Sequence, residues 1–346
     1  MKKIITVMCL ILLMLTTCVS AKTSGVIYPH PEVEMTTTKN EGTQETYSGR
    51  VWKTVYGESV RPDMEVGELR YTVYLPENYN SEKEYPFVLF LHGGKRGYRR
   101  CNGKTMWEMD LVEFSDSFAS SIEDCIIFAP QAPGIAYSDE DKKNKYWSGI
   151  SSASVPISTI TTDNSESSPY LRAAEKMIST FVEQGISYGD DTYTIDASRL
   201  YVVGHSMGGI GTYTILRDCP DVFAGAIIGA GIGDPDSVDL WKSTPVRIIH
   251  GTKDASVIYE ATEIMQEALK GYNNAEIITL EGADHNIKPV MYGEDRGKTT
   301  NENLLWLASQ DRDKPAVSYY VWIVAALVLI IAAVTIILIR KKGAKK

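Results

Sequence analysis

The chain has 346 residues, room for one large domain or two modest ones. Its formal charge is −9, and setting aside the seven cations near its ends (Lys2, Lys3, Arg340, Lys341, Lys342, Lys345, Lys346) leaves −16 on residues 22–339. That acidity argues against nucleic acid as a partner, and solubility explains it better than steering of a substrate does.

Met1-Lys2-Lys3 is a positive segment, Ile4 to Leu15 is apolar, and Val19-Ser20-Ala21 is a small-residue cleavage pattern. Residues 1–21 therefore read as a secretory signal peptide. Leu15-Thr16-Thr17-Cys18 offers a second reading as a lipidation site, with Thr17 a poor fit before the cysteine. Residues 22–50 are polar, Thr-rich and aperiodic, as in a flexible lead-in, and the folded domain is expected over 51–310.

Within that domain the alternating Leu69 to Leu75 reads as a strand and Pro76 to Asn80 as a turn. Tyr85 to Leu91 is a near-continuous apolar run, the pattern of a strand covered on both faces, and it ends in His92-Gly93-Gly94. A helix is expected over Trp107 to Ala119 and a strand over Cys125 to Ala129. Residues 131–168 form a loop long enough to carry function, with Trp147 as a candidate substrate-binding side chain and simple packing as its alternative. Pro169 to Gln184 reads as a helix with proline at its start. Strands at Leu200 to Val203, Ala224 to Ala230, Val246 to His250 and Ala275 to Leu280 alternate with helical patterns, including Ile258 to Lys270. The alternation predicts an α/β fold with a mainly parallel central sheet and helices on both faces.

Residues 311–318 are a polar link to Tyr319–Ile339, an apolar stretch of 21 residues that is expected to be a transmembrane helix. The basic residues 340–346 that follow place this tail in the cytoplasm and the main domain outside the cell. No Leu-Pro-x-Thr-Gly sorting motif precedes the span, which fits membrane anchoring better than covalent wall attachment. Of the five cysteines, Cys9 and Cys18 belong to the leader, so Cys101, Cys125 and Cys219 allow at most one disulfide. No cysteine spacing suggests a metal site.

The chemistry centres on Gly204-His205-Ser206-Met207-Gly208, which follows a strand and precedes a helix. A serine on so sharp a turn has a strained backbone, and side chains two positions either side would clash, so glycine stands at both. The hydroxyl needs a base, and the base needs an orienting acid. Four histidines follow His30: His92, His205, His250 and His285. The chain order serine, acid, histidine selects His285 in Gly282-Ala-Asp-His-Asn286. Asp254, just past a strand end in His250-Gly-Thr-Lys-Asp254, is the favoured acid, with Asp234 and Asp236 as runners-up. Asp284 is too close in sequence to orient the His285 ring easily. The backbone N–H of Met207 is one candidate oxyanion donor, and the N–H of Gly93 or Gly94 the other.

These residues carry a resemblance. Tyr71-Thr-Val-Tyr-Leu-Pro-Glu-Asn-Tyr79, Tyr85 to Gly94, Phe128-Ala-Pro-Gln131, Asp196 to Gly209 and His250 to Asp254 make residues 65–308 resemble the α/β-hydrolase superfamily. More narrowly the chain is similar to secreted feruloyl esterases, polyhydroxybutyrate depolymerases and prolyl-oligopeptidase-type peptidases. The resemblance implies Ser206 as nucleophile, His285 as base and Asp254 as acid, with no metal or organic cofactor. It implies a small ester, or an acylated polysaccharide or peptide, as substrate. A peptidase on the same three residues is the alternative chemistry. Residues 22–50 are too short for the propeller that prolyl-oligopeptidase relatives often carry, which tilts the expectation to ester hydrolysis. An inactive binding module on the same fold is the alternative from another class, and the complete Ser, Asp, His set argues against it.

Overall fold

Consecutive residues of the apolar run Tyr85 to Leu91 are buried in two different cores. Phe87, Leu89 and Leu91 join one cluster, and Val88 and Phe90 join another. The same split by parity recurs at Ile126/Ile127, Val202/Val203, Ile227/Ile228 and Ile248/Ile249. A strand alternates its side chains with a period of two, so a sheet apolar on both faces needs cover on both.

The computed structural model describes residues 36–47, 50–60, 69–96, 112–122, 124–133, 147–148, 166–293 and 300–313. The expected signal peptide 1–21, the transmembrane span 319–339, the basic tail 340–346 and Cys101 lie outside these residues. Among the described residues, no helix is long and apolar enough to cross a membrane.

The strands are β1 (Thr36–Tyr47), β2 (Arg50–Val60), β3 (Leu69–Leu75), β4 (Glu84–Leu91), β5 (Ile126–Gln131), β6 (Ile186–Tyr188), β7 (Asp191–His205), β8 (Gly225–Gly229), β9 (Val246–Gly251) and β10 (Ala275–Leu280). Their order across the sheet is β1-β2-β3-β5-β4-β7-β8-β9-β10, with β6 pairing the start of β7. From β5 to β10 every pairing along that path is parallel, and β1, β2 and β3 add an antiparallel edge.

Helices α1 (Val112–Ser121), α2 (Pro169–Gln184), α3 (Met207–Asp218), α4 (Val238–Trp241) and α5 (Glu260–Ala268) lie between strands, and α6 (Lys288–Tyr292) and α7 (Glu302–Ala308) follow β10. Residues of α2 and α3, such as Leu171, Phe181, Ile215 and Leu216, fill the first core. Phe118 of α1, Met291 and Tyr292 of α6, and Leu304 and Leu307 of α7 fill the second. The start of α2 follows from its sequence: Ser168 Oγ accepts the N–H of Leu171 at 3.2 Å, and Pro169 takes a position where no N–H is needed. Cys125 and Cys219 are both buried.

One expectation is corrected. Residues 36–47, read as part of a flexible lead-in, form β1, paired antiparallel with β2 from Tyr47↔Arg50 to Thr36↔Val60. The segment has no apolar residue before Tyr47, so it shows no alternation to read. The ladder partner β2 supplies the backbone hydrogen bonds, and β-branched threonines suit the extended backbone.

Candidate active site

The carboxyl ends of β4, β7, β9 and β10 lie along one edge of the sheet, with β8 between β7 and β9, and each of the four is followed by one of the candidate residues. In open α/β sheets this edge is where ligands bind. Gly93 and Gly94 follow β4, Ser206 follows β7, Asp254 follows β9, and His285 follows β10.

Ser206 has φ 60° and ψ −120°, a left-handed backbone that an L-residue adopts only when its surroundings force it. Two glycines make room for this turn. A Cβ on Gly204 would lie 2.1 Å from the carbonyl oxygen of Gly208, and a Cβ on Gly208 would lie 1.8 Å from that of Leu91. Any side chain at either position would push α3 away from β7 and β4. We predict that Gly208→Ala costs about 3 kcal/mol or more and lowers Tm by roughly 6–12 °C, readable in a thermal melt.

The structure brings Ser206, His285 and Asp254 into one hydrogen-bonded chain. His285 Nε2 is 2.9 Å from Ser206 Oγ, and His285 Nδ1 is 2.6 Å from Asp254 Oδ2. A carboxylate only accepts, so Nδ1 carries the proton and Nε2 is left to accept the serine O–H. Asp254 is held on both oxygens: Oδ1 accepts the amides of Ser256 at 2.8 Å and Val257 at 2.9 Å, and Oδ2 also faces His250 Nε2 at 3.2 Å. Burial alone would push the Asp254 carboxyl up. The donors on His250 and His285, then the amides of Val257 and Ser256, outweigh it and hold the carboxyl well below the usual carboxylate range.

The rival acids stand elsewhere. Asp234 caps a short turn by accepting the amide of Asp236 at 3.0 Å, Asp236 is exposed, and Asp284 accepts the amide of Asn286 at 2.8 Å. Gly93 and Gly94 do come beside the serine. A Cβ on Gly93 would lie 3.8 Å from Ser206 Cβ, and one on Gly94 would lie 3.8 Å from Met207 Sδ. Met207 opens α3, so its N–H has no carbonyl one turn back to pair with. Among the described residues, no group of His, Cys, Asp and Glu side chains is arranged to hold a metal ion.

Trp147 is corrected from a substrate contact to a packing residue. It is 0% exposed and belongs to the core on the α3 side of the sheet. Its Nε1–H donates to the carbonyl of His92 at 3.0 Å, and its side chain packs over Gly211, where an added Cβ would lie 2.6 Å from Trp147 Cβ and 3.0 Å from the ring's Cγ. The indole thus braces the loop that begins at His92 from behind. The His92 ring adds a second brace: Nε2 accepts the amide of Ala132 at 3.0 Å, so Nδ1 carries the proton and donates to Gly93 O at 2.9 Å.

The other histidines near the site also work as supports, which the sequence did not reveal. His205 Nε2 donates to the carbonyl of His285 at 2.9 Å, with the two rings 4.8 Å apart. Burial first, and the neighbouring His285 second, push the His205 pKa down to about 3. A histidine in an unfolded chain titrates near 6.5, so below that pH the unfolded state takes up a proton that the folded state refuses. His205 therefore lowers stability as pH falls from about 6.5 toward its folded value, with a slope of up to about 1.4 kcal/mol per pH unit. The expected result is a flatter dependence of Tm on pH between about 6.5 and 4 in His205→Gln than in the wild type.

A family model named Esterase matches residues 66–316. The fold is similar to that of a thermostable esterase, at 23% identity over 76% of this chain and 73% of the other, with a TM-score of 0.55. It is also similar to an S-formylglutathione hydrolase from Agrobacterium tumefaciens, at 18% identity over 78% of this chain and 98% of that one, with a TM-score of 0.49. No curated protein matches the chain. With most of its length matched by the family model, the chain belongs to the Esterase family and is a serine hydrolase of carboxylesterase type.

Proposed function

We propose that the protein is a membrane-anchored, extracellular carboxylic-ester hydrolase with Ser206 as nucleophile, His285 as proton carrier and Asp254 as the group that orients His285. The observation that carries this reading is the unbroken path from Ser206 Oγ through both nitrogens of His285 to Asp254 Oδ2, at 2.9 and 2.6 Å. Ser206 Oγ attacks the acyl carbonyl while its proton passes to His285 Nε2. The carbonyl oxygen becomes an oxyanion and is met by the N–H of Met207 and by an N–H of the Gly93-Gly94 segment. His285 then returns the proton to the departing alkoxide, which leaves as an alcohol with the acyl group on Ser206. Water, deprotonated by the same His285, releases the acid and restores the hydroxyl.

A small ester, or an acyl group carried on a polysaccharide or peptide, is the substrate class. Anchoring rests on the leader at 1–21 and the apolar stretch 319–339 with its basic tail. The test uses the full chain in washed membranes of an expressing cell, assayed with short-chain p-nitrophenyl esters and with a peptide anilide. The reading expects ester turnover in the membrane fraction, accessible to an external protease, at rates far above anilide turnover. Activity confined to the soluble cytosol would remove the anchoring claim, and anilide turnover without ester preference would remove the ester claim.

A further inference from the structure

His250 is the penultimate residue of β9, is fully buried, and is not one of the three residues of the Ser206–His285–Asp254 chain. Its ring is nevertheless fixed at both nitrogens. Nδ1 lies 2.6 Å from Thr262 Oγ1 of α5, and Nε2 lies 2.9 Å from the carbonyl of Val257 and 3.2 Å from Asp254 Oδ2. A carbonyl and a carboxylate only accept, so Nε2 carries a proton and shares it between them. The same Oδ2 accepts His285 Nδ1–H at 2.6 Å. Two imidazole N–H groups therefore converge on one carboxylate oxygen, while the other oxygen is occupied by the amides of Ser256 and Val257.

A carboxylate oxygen that already accepts one hydrogen bond has less charge to offer a second donor. Resting on the reading of Ser206, His285 and Asp254 given above, we propose that His250 is a positioning residue that shares Asp254 Oδ2 with His285 and thereby moderates how strongly Asp254 holds a proton on the His285 ring. With Oδ2 undivided, His285 would be more basic, and a larger fraction would be protonated, and idle as a base, at a given pH. The shared oxygen also fixes the direction from which Asp254 meets His285. Other groups face the two rings. His285 is flanked by the His205 ring and Ser206, with Lys288 nearby on α6 acting on His205, and Asp284 precedes it in the chain. His250 is flanked by the Tyr259 ring, edge-on at 5.6 Å, and by Thr262. None of these changes in the comparison that follows.

Two substitutions separate sharing from mere packing. His250→Gln can place its amide nitrogen where Nε2 stands and keep a donor on Asp254. His250→Asn is shorter, reaches the Thr262 side and loses that donor. Rates on p-nitrophenyl acetate across pH 5–9 give the acid limb of kcat/KM, set by protonation of His285 in the free enzyme. The expected result is that His250→Asn moves this limb to higher pH by roughly 0.5–1 unit, with kcat at pH 7 lower and KM little changed. His250→Gln should leave the limb where the wild type has it. An equal loss of kcat in both variants with no movement of the limb would overturn the proposal and leave His250 a packing residue. If neither variant folds, the wild type decides. The low-field proton resonance of His250 Nε2–H should shift as His285 titrates, and a resonance that does not respond would also overturn sharing. Failure of the underlying reading looks different: Ser206→Ala would retain ester turnover whatever His250 does.

Discussion

Ser206→Ala is expected to lose about 10⁶-fold in kcat toward p-nitrophenyl esters while melting within about 2 °C of the wild type. The loss is large because the covalent step disappears, and no other described hydroxyl is paired with His285. The small effect on stability has its own reason. The strained φ of 60° belongs to the backbone, and alanine is no worse in it than serine. A residual rate of roughly 10³–10⁴-fold over water is expected from binding and the oxyanion donors alone. A fall of only a few-fold would mean that Ser206 positions substrate and does not attack it.

Asp254→Asn is expected to lower kcat by about 10⁴-fold and, unlike the serine change, to destabilise the protein by about 2–3 kcal/mol. Four donors meet the two carboxylate oxygens: the rings of His285 and His250 and the amides of Ser256 and Val257. Asparagine replaces one oxygen by an NH₂, so at least one donor faces another donor whichever way the amide is turned. If the NH₂ faces His285, the ring adopts the tautomer that cannot accept the serine proton. The pH dependence has a definite sign. Because the folded carboxyl is held below its unfolded range, its stabilisation is complete above about pH 4 and is lost as pH falls further. The asparagine variant should lack that part of the acid unfolding transition, measurable as a shallower loss of Tm below pH 4.

Legibility in the sequence tracked the range of the interaction. The turn at Ser206 was readable because its steric need is local: Gly204 clashes with Gly208 O, four residues away. His285 was readable from chain order and from its place after the last strand. Asp254 and Asp234 both follow strands, and sequence could rank but not separate them. The structure does so because His285 Nδ1 meets Asp254 Oδ2 at 2.6 Å, whereas Asp234 caps a turn through the amide of Asp236. The strands of the parallel block were readable from apolar runs, since burial on both faces leaves no polar position to obscure them.

What was not legible depends on partners distant in sequence. Trp147 looked like a loop residue because nothing near it announces the His92 carbonyl it binds or the α3 glycine that makes room for it. β1 has no apolar alternation, and only its ladder with β2 makes it a strand. His92, His205 and His250 each sit at or just past the end of an apolar run, and chain order sets them aside as the base without showing what they do. Their common arrangement, a buried ring behind each of the loop after β4, His285 and Asp254, emerges only when β4, β7, β9 and β10 are brought into one sheet.

The most direct measurement of the central claim is covalent labelling of the full-length protein with a fluorophosphonate, followed by mass mapping of the modified peptide. The account predicts a single stoichiometric adduct on Ser206, slowed by several orders of magnitude in His285→Ala and absent in Ser206→Ala. An adduct on a different serine, or ester turnover by a protein that takes no label at all, would contradict it.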